Sequence, residues 1–252
     1  AHDGSEALAV LGDVHDTFLS WRETSFEERA RPMREAARIL RERSREWGEL
    51  MTREMGKPVT AGVAEAEKCA WVCDYYAEHA ESFLAPEHAD TDALRSYWTH
   101  RPLGPVLAVM PWNFPFWQVF RFVAPGLMAG NAGLLKHARN VPGCALAIER
   151  ILREAGFPEH LFRTLLIGHD VTDALLEDPR LKAATVTGSV RAGRAVGEKA
   201  GRMIKKTVLE LGGSDAYVVL ADADLDRAAE TCATSRLINS GQSCIAAKRF
   251  IV

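Results

Sequence analysis

Beyond Pro115 the sequence switches repeatedly between helical and strand-like patterning, at the spacing of βαβ units. The patterning predicts a helix over 116–129, a strand at 131–136, a helix at 142–155 stopped by Gly156-Phe157-Pro158, a strand at 161–167 and a short helix at 171–177. It continues with a strand at 182–187, a helix at 190–201 and a strand at 208–210 before Gly212-Gly213; the strand-like AYVVL and a helix at 224–238 follow. This order predicts an α/β fold, a doubly wound and mostly parallel sheet whose ligands gather at the carboxyl ends of its strands.

The first ninety or so residues have a different texture. Apolar residues recur three and four apart, as in Met33, Ala36, Ala37 and Leu40 and again in Trp47, Leu50 and Met51, which predicts amphipathic helices. Ser25 with Glu28 forms a capping box at the start of the longest, and Gly56 with Pro58 supplies its stop. A further helix over 60–84 places Cys69, Val72, Cys73 and Tyr76 on one face. Strand-like RSYWTH and GPVLAVM follow, separated by Arg101-Pro102-Leu103.

From Pro102 to Phe120 run 19 uncharged residues, about the length of a membrane-spanning helix. Pro102, Pro105, Pro111 and Pro115 would remove helix donors and clash with preceding turns, so the run reads as strand, loop and helix start inside a core, not as a membrane segment. The net charge of −3, without a basic block, gives a nucleic-acid partner no electrostatic support. Five cysteines without paired spacing, and no signal segment at the start, lead us to expect a cytoplasmic protein with reduced thiols.

Several segments have the makings of chemical sites. ATVTGSVRAGRAVG at 184–197 puts Gly188-Ser189 between a strand and a helix, where backbone N–H groups reach a pyrophosphate; a turn glycine with two helix-packing glycines, Gly193 and Gly197, explains it equally well. Cys244, in NSGQSCIAAKR, is a nucleophile if a base or a lowered pKa activates it, and otherwise an inert thiol. Glu210, between apolar neighbours, is expected to be partly desolvated and so raised toward the range of a general base; a salt-bridged or solvated edge residue is the alternative. Asn113 in PWNFP is either a rigid amide for an oxyanion or a turn corner. Cys69 and Cys73 have metal-ligand spacing but no second ligand pair, so we expect core packing and no metal.

Taken together, PWNFP at 111–115, LLKHA at 134–138, VTGS at 186–189, LELGG at 209–213 and GQSC at 241–244 resemble, in order and spacing, the aldehyde dehydrogenase superfamily. Within it the chain is most similar to the bacterial NAD(P)-dependent succinate-semialdehyde dehydrogenases. The resemblance implies a Rossmann-like lobe in which Cys244 attacks the aldehyde carbon and Asn113, with the Cys244 backbone N–H, holds the oxyanion. Hydride passes to the nicotinamide, and Glu210 activates the water that hydrolyses the thioester. It also implies that Lys136 binds the adenosine ribose, that Gly188 and Ser189 receive the pyrophosphate, that Trp112 lines the cofactor cleft and that Leu211 offers its backbone near the nicotinamide.

Residues 1–212 would then be the NAD(P)-binding domain, with a hairpin near 94–103 belonging to the oligomerisation region, and 213–252 the beginning of a truncated catalytic domain. The full-length form is expected to be a homo-oligomer. Two positions bear on specificity. Arg139 stands where strictly NAD-dependent members often carry Glu, so NADP is expected to be accepted alongside NAD, unless Arg139 simply points to solvent. Arg121, the lone charge between Pro102 and Leu135, wants an anion and matches an arginine that contacts the distal carboxylate of a small-molecule aldehyde substrate. No second cysteine follows two residues after Cys244. Two other readings remain: an enzyme passing the thioester to coenzyme A, against which Glu210 argues, and a nucleotide-binding fragment without turnover.

Overall fold

A computed structural model describes residues 2–252. Four helices come first, α1 (Gly4–Trp21), α2 (Phe26–Glu42), α3 (Ser44–Met55) and α4 (Val59–Phe83), followed by an exposed hairpin of β1 (Glu87–His88) and β2 (Tyr97–Trp98). The α/β part then runs β3 (Pro105–Met110), α5 (Trp117–Met128), β4 (Ala132–His137), α6 (Pro142–Glu154), β5 (Phe162–Thr164), α7 (His169–Glu177), β6 (Ala183–Gly188), α8 (Val190–Arg202) and β7 (Lys206–Leu211). A second pair, β8 (Ala216–Val218) and β9 (Arg249–Ile251), is parallel and connected through α9 (Leu225–Leu237) and a short 3-10 turn at Ile238–Gly241.

The five main strands are parallel and lie in the order β5-β4-β3-β6-β7. From β3 the chain winds outward through β4 to β5, then crosses back so that β6 takes the other side of β3. The reversal opens a crevice beyond the carboxyl ends of β3 and β6, where such sheets bind ligands. PWNFP leaves β3 at that point and Gly188-Ser189 leaves β6 there.

Predicted elements are corrected in three places: the strand expected over 161–167 spans only Phe162–Thr164, the hairpin expected near 94–103 runs from Glu87 to Trp98, and a long helix is broken. The helix begun by the Ser25–Glu28 capping box does not continue to Gly56; it breaks at Arg43, whose φ of −110° and ψ of 21° leave the helical region. The Arg43 guanidinium lies over the Trp47 ring at 4.4 Å and pairs with Glu46 and Glu154. The capping box itself is formed, and Gly56 ends α3 with φ of 79°, a left-handed cap that suits glycine.

The core is shared between the helical layer and the sheet: Met33, Leu40 and Trp47 from the helices are fully buried with Phe116, Phe120, Leu107 and Leu134. Burying each such side chain contributes about 1.5–3 kcal/mol. Buried polar groups join the two layers as well. Trp21 Nε1 donates to the Leu127 carbonyl at 3.0 Å, and Arg29 Nη1 to the Met128 carbonyl at 3.1 Å. Glu54 accepts the N–H groups of Gly143 and Cys144 at the start of α6 at 2.7 and 2.8 Å. Among the described residues no helix is long and apolar enough to cross a membrane.

Candidate active site

Three chain segments meet at the crevice. The first is PWNFP, held at both ends by buried titratable groups. His137, at the end of β4, donates Nε2–H to the Pro115 carbonyl at 2.9 Å, while its Nδ1 accepts the Ala138 N–H at 2.9 Å. Nδ1 also lies 3.2 Å from the Met110 carbonyl, so the ring meets the chain on both sides of PWNFP, and burial pushes its pKa down. On the other side Glu65 Oε1 accepts the N–H groups of Phe116 and Trp117, both at 2.9 Å, and so caps α5, while its second oxygen is bonded to Lys57.

The second segment is the turn after α9. Asn239 and Ser240 have φ of 51° and 57°, and Gly241 has 78°, so three successive left-handed residues reverse the chain before Cys244. Two non-glycine residues in that region cost of order 1–2 kcal/mol each, strain that surrounding contacts must hold in place. They are visible: Asn239 Nδ2 donates to the Asn113 carbonyl and Asn113 Nδ2 to the Gln242 carbonyl, each at 2.8 Å. Lys248 Nζ reaches the Cys244 and Gly213 carbonyls at 2.6 and 2.7 Å. Asn113 therefore spends one of its two amide hydrogens on the cysteine loop.

The third segment is the end of β6 with the start of α8. Ser189 caps α8 by accepting the Ala192 N–H, and a side chain at Gly188 would meet open space. A Cβ on Gly193 would stand 2.6 Å from Leu211, so this glycine lets α8 lie close against β7, whereas one on Gly197 would make ordinary contact with Leu209 at 3.4 Å. The α6 N-terminus, by contrast, is closed by the Glu54 carboxylate.

A cleft of about 440 Å³ brings together Trp112, Asn113, Gly188, Ser189, Glu210, Leu211 and Cys244, whose side chain is exposed. Two expectations are corrected here. Glu210 is not desolvated: its side chain is 57% exposed, because β7 is an edge strand and one flank of it has no partner. Arg121 is not an unpaired cation in apolar surroundings; its Nη2 lies 3.6 Å from Glu210 Oε2 and 3.4 Å from Thr187 Oγ1. It lines a second cavity of about 330 Å³ that also reaches Cys244.

Lys136 and Arg139 do not line the Cys244 cleft. Lys136, next to last in β4, is 6% exposed with no carboxylate partner among the described residues, and burial first, then Arg139, push its pKa down. Arg139 is exposed and lines a neighbouring cavity of about 350 Å³ with the 165–168 turn. An unpartnered ammonium and a nearby guanidinium are donors suited to a phosphorylated dinucleotide. Cys69, Cys73 and Cys144 are buried, and burial pushes their thiols well up; no cluster of metal-ligating residues occurs among the described residues.

Four contributors escaped the sequence reading: His137, Glu65, Lys57 and Gln118. Gln118 alone left a trace, as a lone amide among the aromatic and aliphatic residues of 116–120.

A family model described as aldehyde dehydrogenase family matches residues 2–252. A probable succinate-semialdehyde dehydrogenase (NADP+) from Synechocystis is 56% identical over 252 residues, all of this chain and 56% of its own length. Succinate-semialdehyde dehydrogenase (NADP+) 1 of Mycobacterium tuberculosis is 52% identical over 98% of this chain and 55% of its own. The crystal structure of succinic semialdehyde dehydrogenase from Streptococcus pyogenes, in complex with NADP+, superposes with a TM-score of 0.94 at 38% identity, covering 98% of this chain and 54% of that one. The chain spans about half the length of the curated relatives it matches.

Proposed function

The chain belongs to the aldehyde dehydrogenase family, and on that premise we propose that the protein oxidises succinate semialdehyde to succinate with NADP+ or NAD+, through a thioester on Cys244. The observation that carries the reading is the single cleft shared by Cys244, Asn113, Glu210 and the Gly188-Ser189 turn.

In this mechanism the Cys244 sulfur adds to the aldehyde carbon, and the oxygen that becomes negative is met by the second Asn113 amide hydrogen and the Cys244 backbone N–H. The nicotinamide, when bound, supplies the hydride acceptor that turns this adduct into a thioester. Glu210 then takes a proton from water as the water oxygen attacks the thioester carbon, and the sulfur of Cys244 departs with the bonding pair. The exposure of Glu210 keeps its carboxylate within reach of solvent water. Arg121, one turn into α5 and eight residues after Asn113, binds the distal carboxylate. Lys136 and Arg139 hold the ribose end of the cofactor, Gly188 and Ser189 its pyrophosphate, and Trp112 and Leu211 line the nicotinamide side.

Residues 1–212 form the cofactor domain in this reading, 213–252 open the catalytic domain, and the hairpin, with neighbouring 94–103, serves the contacts of a homo-oligomer. The five free thiols fit a cytosolic setting. The test is turnover with succinate semialdehyde, followed by the absorbance of reduced cofactor. Cys244→Ala is expected to abolish it, a loss of at least about 10³-fold, with cofactor affinity unchanged. Turnover retained in that variant overturns the mechanism.

A further inference from the structure

Gln118 follows Trp117 on α5 and precedes Arg121 by three residues. It is 3% exposed, and its Oε1 is buried without a hydrogen-bond partner among the described residues. Its backbone N–H donates to the Phe114 carbonyl at 3.0 Å. A buried amide without partners is unfavourable, and native structures retain few of them. Its position gives the reason for its presence. Gln118, Ser243 and Cys244 are the walls common to the 440 Å³ cleft that holds Asn113 and the 330 Å³ cavity bounded by Trp117 and Arg121. The amide therefore stands on the partition between the reacting thiol and the cavity beyond it.

We infer that Gln118 is a specificity-determining residue whose side-chain amide hydrogen-bonds the carboxylate end of an acidic aldehyde bound beside Cys244. This rests on the proposed oxidation of a carboxylated aldehyde. Such a substrate has two hydrogen-bonding ends. Its aldehyde oxygen is served by Asn113 and the Cys244 N–H, which leaves the carboxylate for the next donors along the cavity. Arg121 supplies the charge there, but its guanidinium is shared with Glu210 at 3.6 Å and Thr187 at 3.4 Å. The Gln118 amide adds N–H donors beside it at no cost in charge. A half-turn about its last side-chain bond exchanges the amide oxygen and nitrogen, so the N–H group can stand where the unpartnered oxygen stands and donate to a bound carboxylate.

Occupancy of the cavity is read without turnover from the rate at which iodoacetamide alkylates Cys244, measured by mass spectrometry at that residue. Succinate semialdehyde and butyraldehyde, equal in carbon number and differing in the carboxylate, serve as protecting ligands. Gln118→Leu is expected to raise the half-protecting concentration of succinate semialdehyde about tenfold and to leave butyraldehyde within about twofold, the size of one charge-assisted hydrogen bond. Gln118→Glu, which sets a like charge against the carboxylate, should raise it further. Gln118→Leu should also melt no lower than the parent chain, because it removes an unpartnered polar group at nearly constant volume. A purely structural glutamine gives the opposite pattern, a lower Tm and equal weakening by both aldehydes, and that result overturns the inference. If the parent chain shows no preference for succinate semialdehyde, the proposed substrate class falls with it. If the parent prefers it and Gln118→Leu keeps the full preference, the role of Gln118 alone is refuted.

Discussion

Burial and charge act together on Lys136. Its ammonium is 6% exposed, so burial lowers its pKa from the usual 10.5, and the Arg139 guanidinium three residues on lowers it further. The sign is fixed: the ammonium loses its proton at a lower pH than a free lysine, so any cofactor affinity that depends on it weakens early on the alkaline side. Replacing Arg139 by Glu removes one repelling cation and adds an attracting anion. The alkaline limb of cofactor binding should then move upward in pH, while NADP+ affinity falls relative to NAD+ by about tenfold or more. Fluorescence titrations of both cofactors across pH check it; an unchanged NADP+ to NAD+ ratio assigns cofactor choice to another residue. At this scale positions were legible and environments were not. Cys244 and Asn113, singled out by the small residues and prolines that flank them, lie in one cleft. The desolvation expected of Glu210 could not be judged from Val208 and Leu209, since exposure depends on which strand lies beyond β7, a fact of topology.

Most elements of the α/β part were legible from apolar periodicity and from glycine and proline at several of their ends; the helix seen at Trp117–Met128 and the strand at Ala132–His137 differ from 116–129 and 131–136 by a residue at each end, whereas the strand expected at 161–167 spans only Phe162–Thr164. The break at Arg43 was not, since no helix breaker marks it: a tertiary contact with Trp47 and Glu154 holds it. How a loop is fastened between elements is equally invisible to periodicity. PWNFP is fixed by His137, whose ring nitrogens lie 2.9 Å from the Pro115 carbonyl and 3.2 Å from the Met110 carbonyl. Burial holds the folded pKa of His137 below its usual 6.5. The unfolded chain therefore binds a proton first as pH falls, and the stability contributed by His137 is full above about 6.5 and lost as pH drops through the folded value. His137→Gln keeps a donor near Pro115 without the titration. It should cost about 1 kcal/mol at pH 8, and the gap to the parent chain should close as the pH is lowered below about 6.5. Urea unfolding at a series of pH values reads the gap; a constant difference would show that His137 does not titrate with folding.

For the molecule as a whole, the helical layer and the sheet are joined by polar groups that each layer lacks on its own. Trp21 and Arg29 satisfy the carbonyls at the end of α5, Glu54 the start of α6 and Glu65 the start of α5. The Lys57–Glu65 pair at this seam is 1% and 3% exposed. Replacing a buried pair wholesale can be neutral, but removing one partner strands the other, a loss of about 3–5 kcal/mol against a domain stability of about 5–15. In Glu65→Ala the Lys57 ammonium keeps no counter-charge, and the Phe116 and Trp117 N–H groups lose their acceptor. If the two layers are one cooperative unit, every probe must move together: tryptophan emission, reporting Trp21 and Trp47 in the helices and Trp112 and Trp117 beyond them, and far-ultraviolet circular dichroism should show one coincident transition displaced by that amount. Replacing both partners, Lys57→Met with Glu65→Gln, removes the stranded charge and keeps an acceptor for α5, so it should recover more than half of the loss. Two separated transitions, with the sheet unaffected, would instead mean that the helices are a detachable layer and that the seam does not carry the fold.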